Sequence, residues 1–364
     1  MQCKWAHFCS GCSLWGQTYD HQKQSKLNKL ASVFLDFPRD QIEFKSFGES
    51  GLRSRLDFVK DHNLLGLYSH QTKKIEDLPT CLQLSPELQS FYSDFRELKL
   101  PPLKGSFRLK VSPQNRRGAW LDFSNLDIQA LLQNSEWMTA LTDLSIVEMG
   151  QKHKIVGRKK TGDWGLFSPE FFEWNESLYQ GKIIPLASTV ASFSQPSHTS
   201  NHWIVSQIYQ MIAEIKPHHI LEFGSGFGNL SFPALYNNQV HLTCLEYAPL
   251  STAALKHNFD KYKIQNQVTI HQGDFRKKMT DWQDYDFLLL NPARNGVGSL
   301  FDSFLDDLKK IKKPASVLYM SCYPETLFLD SQKLKQQGYR LTQLKIADQF
   351  PQTEHMEVIS LWQR

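Results

Sequence analysis

The chain has 364 residues, 41% of them hydrophobic and 12% aromatic, enough for two domains with real cores. Its formal charge of +4 permits a nucleic-acid partner without demanding one, because a basic face can sit inside a balanced total. No run approaches the roughly 18 apolar residues that a bilayer span needs, and the polar start MQCKWAHFCSGC lacks the basic-then-apolar layout of a secretory signal, so a cytoplasmic protein with no membrane association is expected.

In that compartment six cysteines are expected to serve as ligands, nucleophiles or core residues rather than as disulfides. Cys3, Cys9 and Cys12 are spaced C-x5-C-x2-C, and Cys81 follows much later. Four thiolates could hold tetrahedral zinc or an iron–sulfur cluster, and spacing alone favours zinc. The first half then runs irregularly, with Leu64–Tyr68 and Phe107–Val111 patterned as strands. Residues 151–160 carry five Lys or Arg, including the adjacent Lys159 and Lys160. A strand-rich first domain with exposed basic loops fits, bounded near residue 185, so the expected domains are 1–185 and 186–364.

The second half has a different rhythm. His202–Ile215 has apolar spacing suited to a helix, and His219–Phe223 is a short apolar strand running into glycines. Strand-like runs follow at His241–Glu246, Val268–Ile270, Phe287–Leu290 and Ala315–Met320, with helical stretches at Leu250–Tyr262 and Leu300–Ile311 between them. This alternation predicts an α/β domain with a doubly wound, mostly parallel sheet. Tyr339–Ile346 and Glu357–Trp362 read as two closing strands that form an antiparallel pair.

The segment FGSGFGN, Phe223–Asn229, lies between the first strand and a helix, where glycines let the backbone turn tightly and approach a ligand. Glu246 ends the second strand about twenty residues later, where a carboxylate can accept from ribose hydroxyls. Asp274, after the third strand, can reach an adenine amino group. Asn291, after the fourth, lies where the reacting end of a cofactor should sit. Adenosine binding of this kind fits a methyl donor or a nicotinamide cofactor alike.

Three further segments follow the later strands: NPARNG from Asn291, SCYPET from Ser321, and DQFPQTEHME from Asp348 to Glu357. Together they resemble the patterns DPAR-x-G, SCNP-x-T and D-x-FP-x-T-x-H-x-E of the uracil-C5 RNA methyltransferases, which make 5-methyluridine in 23S rRNA and tRNA. Gly228–Pro233 and Phe193–Gln195 are similar to other family motifs. The likeness spans the chain, is strongest from about residue 190 onwards, and is nearest the iron–sulfur-containing 23S rRNA members. The departures are Asn291 for Asp, Tyr323 for Asn, and Pro196-Ser197 after Gln195.

The resemblance implies a Rossmann-like S-adenosylmethionine-dependent methyltransferase domain with a mixed, mostly parallel seven-stranded sheet. It implies Cys322 as nucleophile on uracil carbon 6 and Glu357 as the base that removes the carbon 5 proton. The cofactor would be held by Gln195, Gly224, Asn229, Glu246, Asp274 and Asn291, and the uracil by Gln195 and Arg294. It implies that Cys3, Cys9, Cys12 and Cys81 hold a [4Fe-4S] cluster. That cysteine motif begins at residue 3, so the N-terminal RNA-binding barrel frequent in the family is expected to be missing. The expected partner is RNA, 23S rRNA first, with no obligate protein partner evident. Methylation of tRNA, or RNA binding without catalysis, are the alternatives; intact Cys322 and Glu357 speak against the second. Cys244, in mid-strand, reads as core.

Overall fold

The computed structural model describes residues 3–98, 103–152, 154–166, 171–273, 285–297 and 315–364. The helical stretch expected over Leu300–Ile311 lies outside the described residues, as does Asp274. The chain forms two compact units that interleave in sequence. One contains Met1–Gly16, Gly48–Asn175 and Ser188–His198; the other contains Gln17–Phe47, Glu176–Ala187 and Thr199–Arg364. The N-terminal helix α1 (Tyr19–Val33) and strand β1 (Glu43–Ser46) therefore fold with the second unit.

The first unit is built on β2 (Arg55–Asp61), β3 (Leu64–Tyr68), β4 (Ile75–Asp77), β5 (Lys104–Val111), β6 (Arg117–Phe123), β7 (Ile146–Gln151), β8 (Lys154–Arg158) and β9 (Trp164–Leu166). They form one sheet in the order β4-β3-β2-β5-β6-β7-β8-β9, antiparallel except for the β6–β7 pair. Helix α2 (Pro86–Arg96) covers this sheet. It starts at Ser85, whose hydroxyl accepts from Leu88 N, with Pro86 in the first turn, where a missing N–H costs nothing. Its buried Leu88, Phe91, Tyr92 and Phe95 follow helical spacing and form one face. That face meets the sheet through stacked rings, Phe58 on Tyr92 at 4.2 Å and Phe95 on Phe107 at 5.1 Å. Two shorter helices, α3 (Ile128–Leu131) and α4 (Ser135–Asp143), lie in the β6–β7 crossover. A ribbon of β10 (Phe172–Tyr179) and β11 (Lys182–Ser188) follows, and its residues Glu176–Ala187 belong to the second unit.

The second unit is an α/β domain. Its strands are β12 (His219–Phe223), β13 (His241–Glu246), β14 (Val268–Gln272), β15 (Phe287–Leu290), β16 (Ser316–Ser321), β17 (Arg340–Asp348) and β18 (Glu357–Gln363). All seven strand segments expected of this half are present, and β1 adds an eighth at one edge: β1-β17-β18-β16-β15-β12-β13-β14. Only β18 runs antiparallel to its neighbours. β15 (FLLL) and β16 (SVLYMS) are buried along their whole length, as strands covered on both faces should be. β1 (EFKS) is mostly exposed and carries no apolar alternation, which explains why its sequence gives no strand signal. The described helices here are α5 (His198–Ile215), α6 (Ser231–Ala234), α7 (Pro249–Lys261) and α8 (Pro324–Gln336). Among the described residues no helix is long and apolar enough to cross a membrane.

Candidate active site

The loop after β12 is shaped by three glycines with positive φ: Gly224 at +75°, Gly226 at +58° and Gly228 at +103°. At Gly224 a second constraint applies, because a Cβ there would lie 2.8 Å from the Asn291 carbonyl oxygen. The loop and the end of β15 thus approach as closely as backbones can, and Asn291 N donates to Phe223 O at 3.2 Å. Glu246, at the end of β13, accepts from Gly226 N at 2.8 Å and from Ala248 N at 2.7 Å. Its carboxylate is aimed by the glycine loop, and each oxygen keeps a lone pair for further donors. Asn229 is placed differently. Its amide forms a reciprocal pair with Asn201 of α5, and its carbonyl accepts from Ser177 Oγ at 2.6 Å. The side chain of Asn229 therefore fixes the loop. Beneath it, Glu222 is fully buried; burial pushes its carboxyl up to about 7, against a bond from Ser231 Oγ. Cys244 is buried beside it, as expected of a core residue.

Cys322 stands at the end of β16, half-buried, just before α8. Two residues of that helix hold the Asn291–Gly296 loop. Thr326 Oγ1 lies 3.1 Å from the Arg294 carbonyl. Asp330 Oδ2 accepts from Val297 N at 2.9 Å and from the Tyr319 hydroxyl at 2.6 Å. Gly296, at φ +70°, makes room for that carboxylate, since a Cβ would lie 2.6 Å from it. Held this way, Arg294 lies near enough to Cys322 for its charge to act on the thiol. Burial raises the thiol's pKa, the nearby Glu357 charge raises it further, and Arg294 lowers it.

Glu357 opens β18 and is buried. Burial pushes its carboxyl up to about 8, and a bond from Gln349 Nε2 to its Oε2, at 3.0 Å, opposes the shift. Gln349 in turn accepts from Ser200 Oγ at 2.8 Å. One residue earlier, Asp348 accepts from Lys26 Nζ at 2.6 Å and from the Tyr19 hydroxyl at 2.7 Å, all from α1. Gln22 and Gln352 pair reciprocally alongside. The segment between β17 and β18 is thus clamped by the polar face of α1. Cys322, Arg294 and Glu357 are brought together from three strand ends. Thr326, Asp330, Gln349 and Ser200, which support them, were not singled out by role from sequence. Asp330 alone offered a signal, one helical turn after Thr326.

In the first unit, Gln195 is buried within Ser188–His198. This segment is tied down by Val190 N to Glu148 Oε1 at 2.7 Å and by Ser54 N to Pro196 O at 2.7 Å. Phe193 is exposed beneath the Arg55 guanidinium, 4.7 Å from its ring centre. Cys3, Cys9, Cys12 and Cys81 line one pocket with Trp5 and Trp15. Burial and mutual repulsion hold the Cys12 thiol up at about 12. Among the described residues no group of three or more His, Cys, Asp or Glu is arranged to hold a metal ion, so neither the zinc nor the cluster reading draws support from the side-chain arrangement.

The family model described as tRNA (Uracil-5-)-methyltransferase matches residues 130–364. An uncharacterized RNA methyltransferase of Bdellovibrio bacteriovorus is 39% identical over 376 aligned positions, covering 100% of this chain and 95% of that protein. The 23S rRNA (uracil(1939)-C(5))-methyltransferase RlmD of Vibrio campbellii is 25% identical, over 100% of this chain and 81% of that protein. The fold is similar to that of the Pyrococcus abyssi tRNA (uracil-54, C5)-methyltransferase in complex with S-adenosyl-L-homocysteine. The TM-score is 0.71 at 18% identity, covering 98% of this chain and 86% of that one. The match across most of the chain shows that the chain belongs to the tRNA (uracil-5-)-methyltransferase family and is an S-adenosylmethionine-dependent RNA (uracil-5-)-methyltransferase.

Proposed function

We propose that this enzyme methylates carbon 5 of a uridine in 23S rRNA through a covalent adduct between Cys322 and carbon 6. The observation that carries the mechanism is the placement of Cys322 and Glu357 at adjacent ends of the paired strands β16 and β18, where Ser321 lies opposite Val358, with the Arg294 loop tied to the helix after Cys322 through Thr326. Carbon 5 of uracil is too weak a nucleophile to attack a methylsulfonium unaided. Addition of the Cys322 thiolate to carbon 6 makes an enolate, and carbon 5 becomes nucleophilic. S-adenosylmethionine, when bound, supplies the electrophilic methyl group. Glu357 then removes the carbon 5 proton; that electron pair restores the ring double bond as the carbon–sulfur bond breaks and the thiolate leaves. Arg294 favours the thiolate form of Cys322 at both ends of this cycle. Glu246, Gly224 and Asn291 would hold the cofactor, with Asp274. Gln195 would face cofactor or uracil, and Asn229 would act by fixing the loop.

The choice of 23S rRNA rests on the RlmD relatives, and a cytoplasmic setting follows from it. We also propose that Cys3, Cys9, Cys12 and Cys81 hold a [4Fe-4S] cluster. All four cysteines line one pocket, and four cysteine thiolates are the donor set of such a cluster. Anaerobically purified protein should contain about four iron and four sulfide per chain; stoichiometric zinc without sulfide would overturn this assignment. Mapping 5-methyluridine in rRNA and tRNA, with and without the gene, tests the substrate. Loss of one site in 23S rRNA is expected; loss confined to tRNA would overturn the rRNA assignment.

A further inference from the structure

We propose that Gln349 is a positioning residue for the base, fixing the Glu357 carboxyl so that it accepts the carbon 5 proton on Oε1. The inference rests on the adduct mechanism above. Gln349 is nearly inaccessible, 1% exposed, and its amide is oriented from both ends. Its oxygen accepts from Ser200 Oγ at 2.8 Å, so its nitrogen is the group that faces Glu357 Oε2, at 3.0 Å. Reversal of the amide would set its oxygen against the ionised Glu357 carboxylate, whereas the Ser200 hydroxyl can serve either orientation. The flanking residues are fixed as well, Asp348 by Lys26 and Tyr19, and Phe350 by its carbonyl bond from Lys26 at 2.9 Å. The chain Ser200–Gln349–Glu357 therefore runs from α5 through the β17–β18 connection to the base.

Two consequences follow for the reaction. With Oε2 engaged, the carbon 5 proton is directed to Oε1 when the C–H electron pair returns to the ring and the carbon–sulfur bond breaks. A donor at Oε2 also stabilises the carboxylate more than the acid, which opposes the effect of burial. The other groups that bear on this titration are the Cys322 thiol and, beyond it, Arg294. Asp348 is already paired with Lys26.

The test compares wild type, Gln349→Leu, Ser200→Ala and Glu357→Gln of the full enzyme with labelled RNA. Methyl transfer and adduct release are followed separately as a function of pH. Gln349→Leu should leave the first methyl transfer near the wild-type rate. It should slow adduct release about tenfold and move the pH midpoint of release up by about one unit, the effect of losing one hydrogen bond to a charged group. Ser200→Ala keeps the donor but loosens it, and should shift both in the same direction by less; it also covers the case in which Gln349→Leu does not fold. A merely structural role would alter protein yield or melting without moving that midpoint. Release by both variants at the wild-type rate and midpoint, while Glu357→Gln traps the adduct, would overturn the positioning role. Absence of any adduct in Glu357→Gln would instead remove the mechanism on which it rests.

Discussion

Cys322 is held away from ionisation by burial and by the charge of Glu357, and is drawn back towards it by Arg294. Arg294→Met should therefore raise the thiol's pKa. Alkylation of Cys322, read by peptide mass spectrometry across a pH series, should shift to higher pH; an unchanged curve would remove Arg294 from the nucleophile's environment. At the proposed cofactor end, Glu246→Ala removes a carboxylate that would accept from ribose hydroxyls and that accepts from Gly226 N of the glycine loop and from Ala248 N. Hydrogen bonds to a charged group contribute roughly 1.5–3 kcal/mol each, so calorimetry with S-adenosylhomocysteine should show at least about tenfold weaker binding. Unchanged affinity would contradict the assignment. Cys322 and Glu357 stood out in the sequence through the family motifs that their segments resemble, and the structure places both at strand ends. Gln349 was not, because a glutamine inside a motif does not reveal which neighbour its amide meets. Asn229 was legible as a loop residue, but its pairing with Asn201 depends on how α5 docks.

At the scale of elements, α1 shows where pattern reading fails. Tyr19, Gln22 and Lys26 lie along one face of this helix, and such a polar face ordinarily reads as solvated. Here it is buried against residues 348–352, more than 300 positions away in sequence, and the Lys26–Asp348 pair is 1% exposed on both sides. Burial lowers the pKa of Lys26 while Asp348 holds it up. Lys26→Met would leave Asp348 buried without its cation. Breaking such a pair costs about 3–5 kcal/mol, so unfolding of the second unit in denaturant should shift by about that much; a loss below about 1 kcal/mol would show a pair exposed to water. The parallel strands β12, β13, β15 and β16 were legible, since burial writes itself as largely apolar runs, whereas the edge strand β14 is only partly buried. β1 was not, because an exposed edge strand is held by backbone pairing to β17.

At the scale of the molecule, three buried carboxyls among the described residues have raised pKa values: Glu148 and Glu222 at about 7 and Glu357 at about 8. Each keeps its proton in the folded state well above the pH at which the unfolded chain releases it. From these groups, stability is therefore greatest at low pH and falls as pH rises from about 4.5 towards 8. Glu222→Gln should flatten this fall, because an amide oxygen can still accept from Ser231 Oγ without titrating. Melting temperatures across that pH range check it, and an equally steep fall in the variant would contradict it. The interleaving of the two units was not legible from composition. It follows from α1 and β1 finding their partners in the C-terminal half, through Lys26 and through the β17 edge.

The central claim is that Cys322 and Glu357 act at opposite ends of one covalent cycle, and their variants should therefore fail differently. Wild type, Cys322→Ala and Glu357→Gln are incubated with labelled RNA and S-adenosylmethionine, and the products are separated by denaturing electrophoresis. Glu357→Gln should accumulate a methylated protein–RNA adduct linked at Cys322, as peptide mass spectrometry can confirm. Cys322→Ala should form no adduct and no 5-methyluridine while still binding cofactor. An adduct that persists in Cys322→Ala, or methylation by that variant at the wild-type rate, would contradict the mechanism.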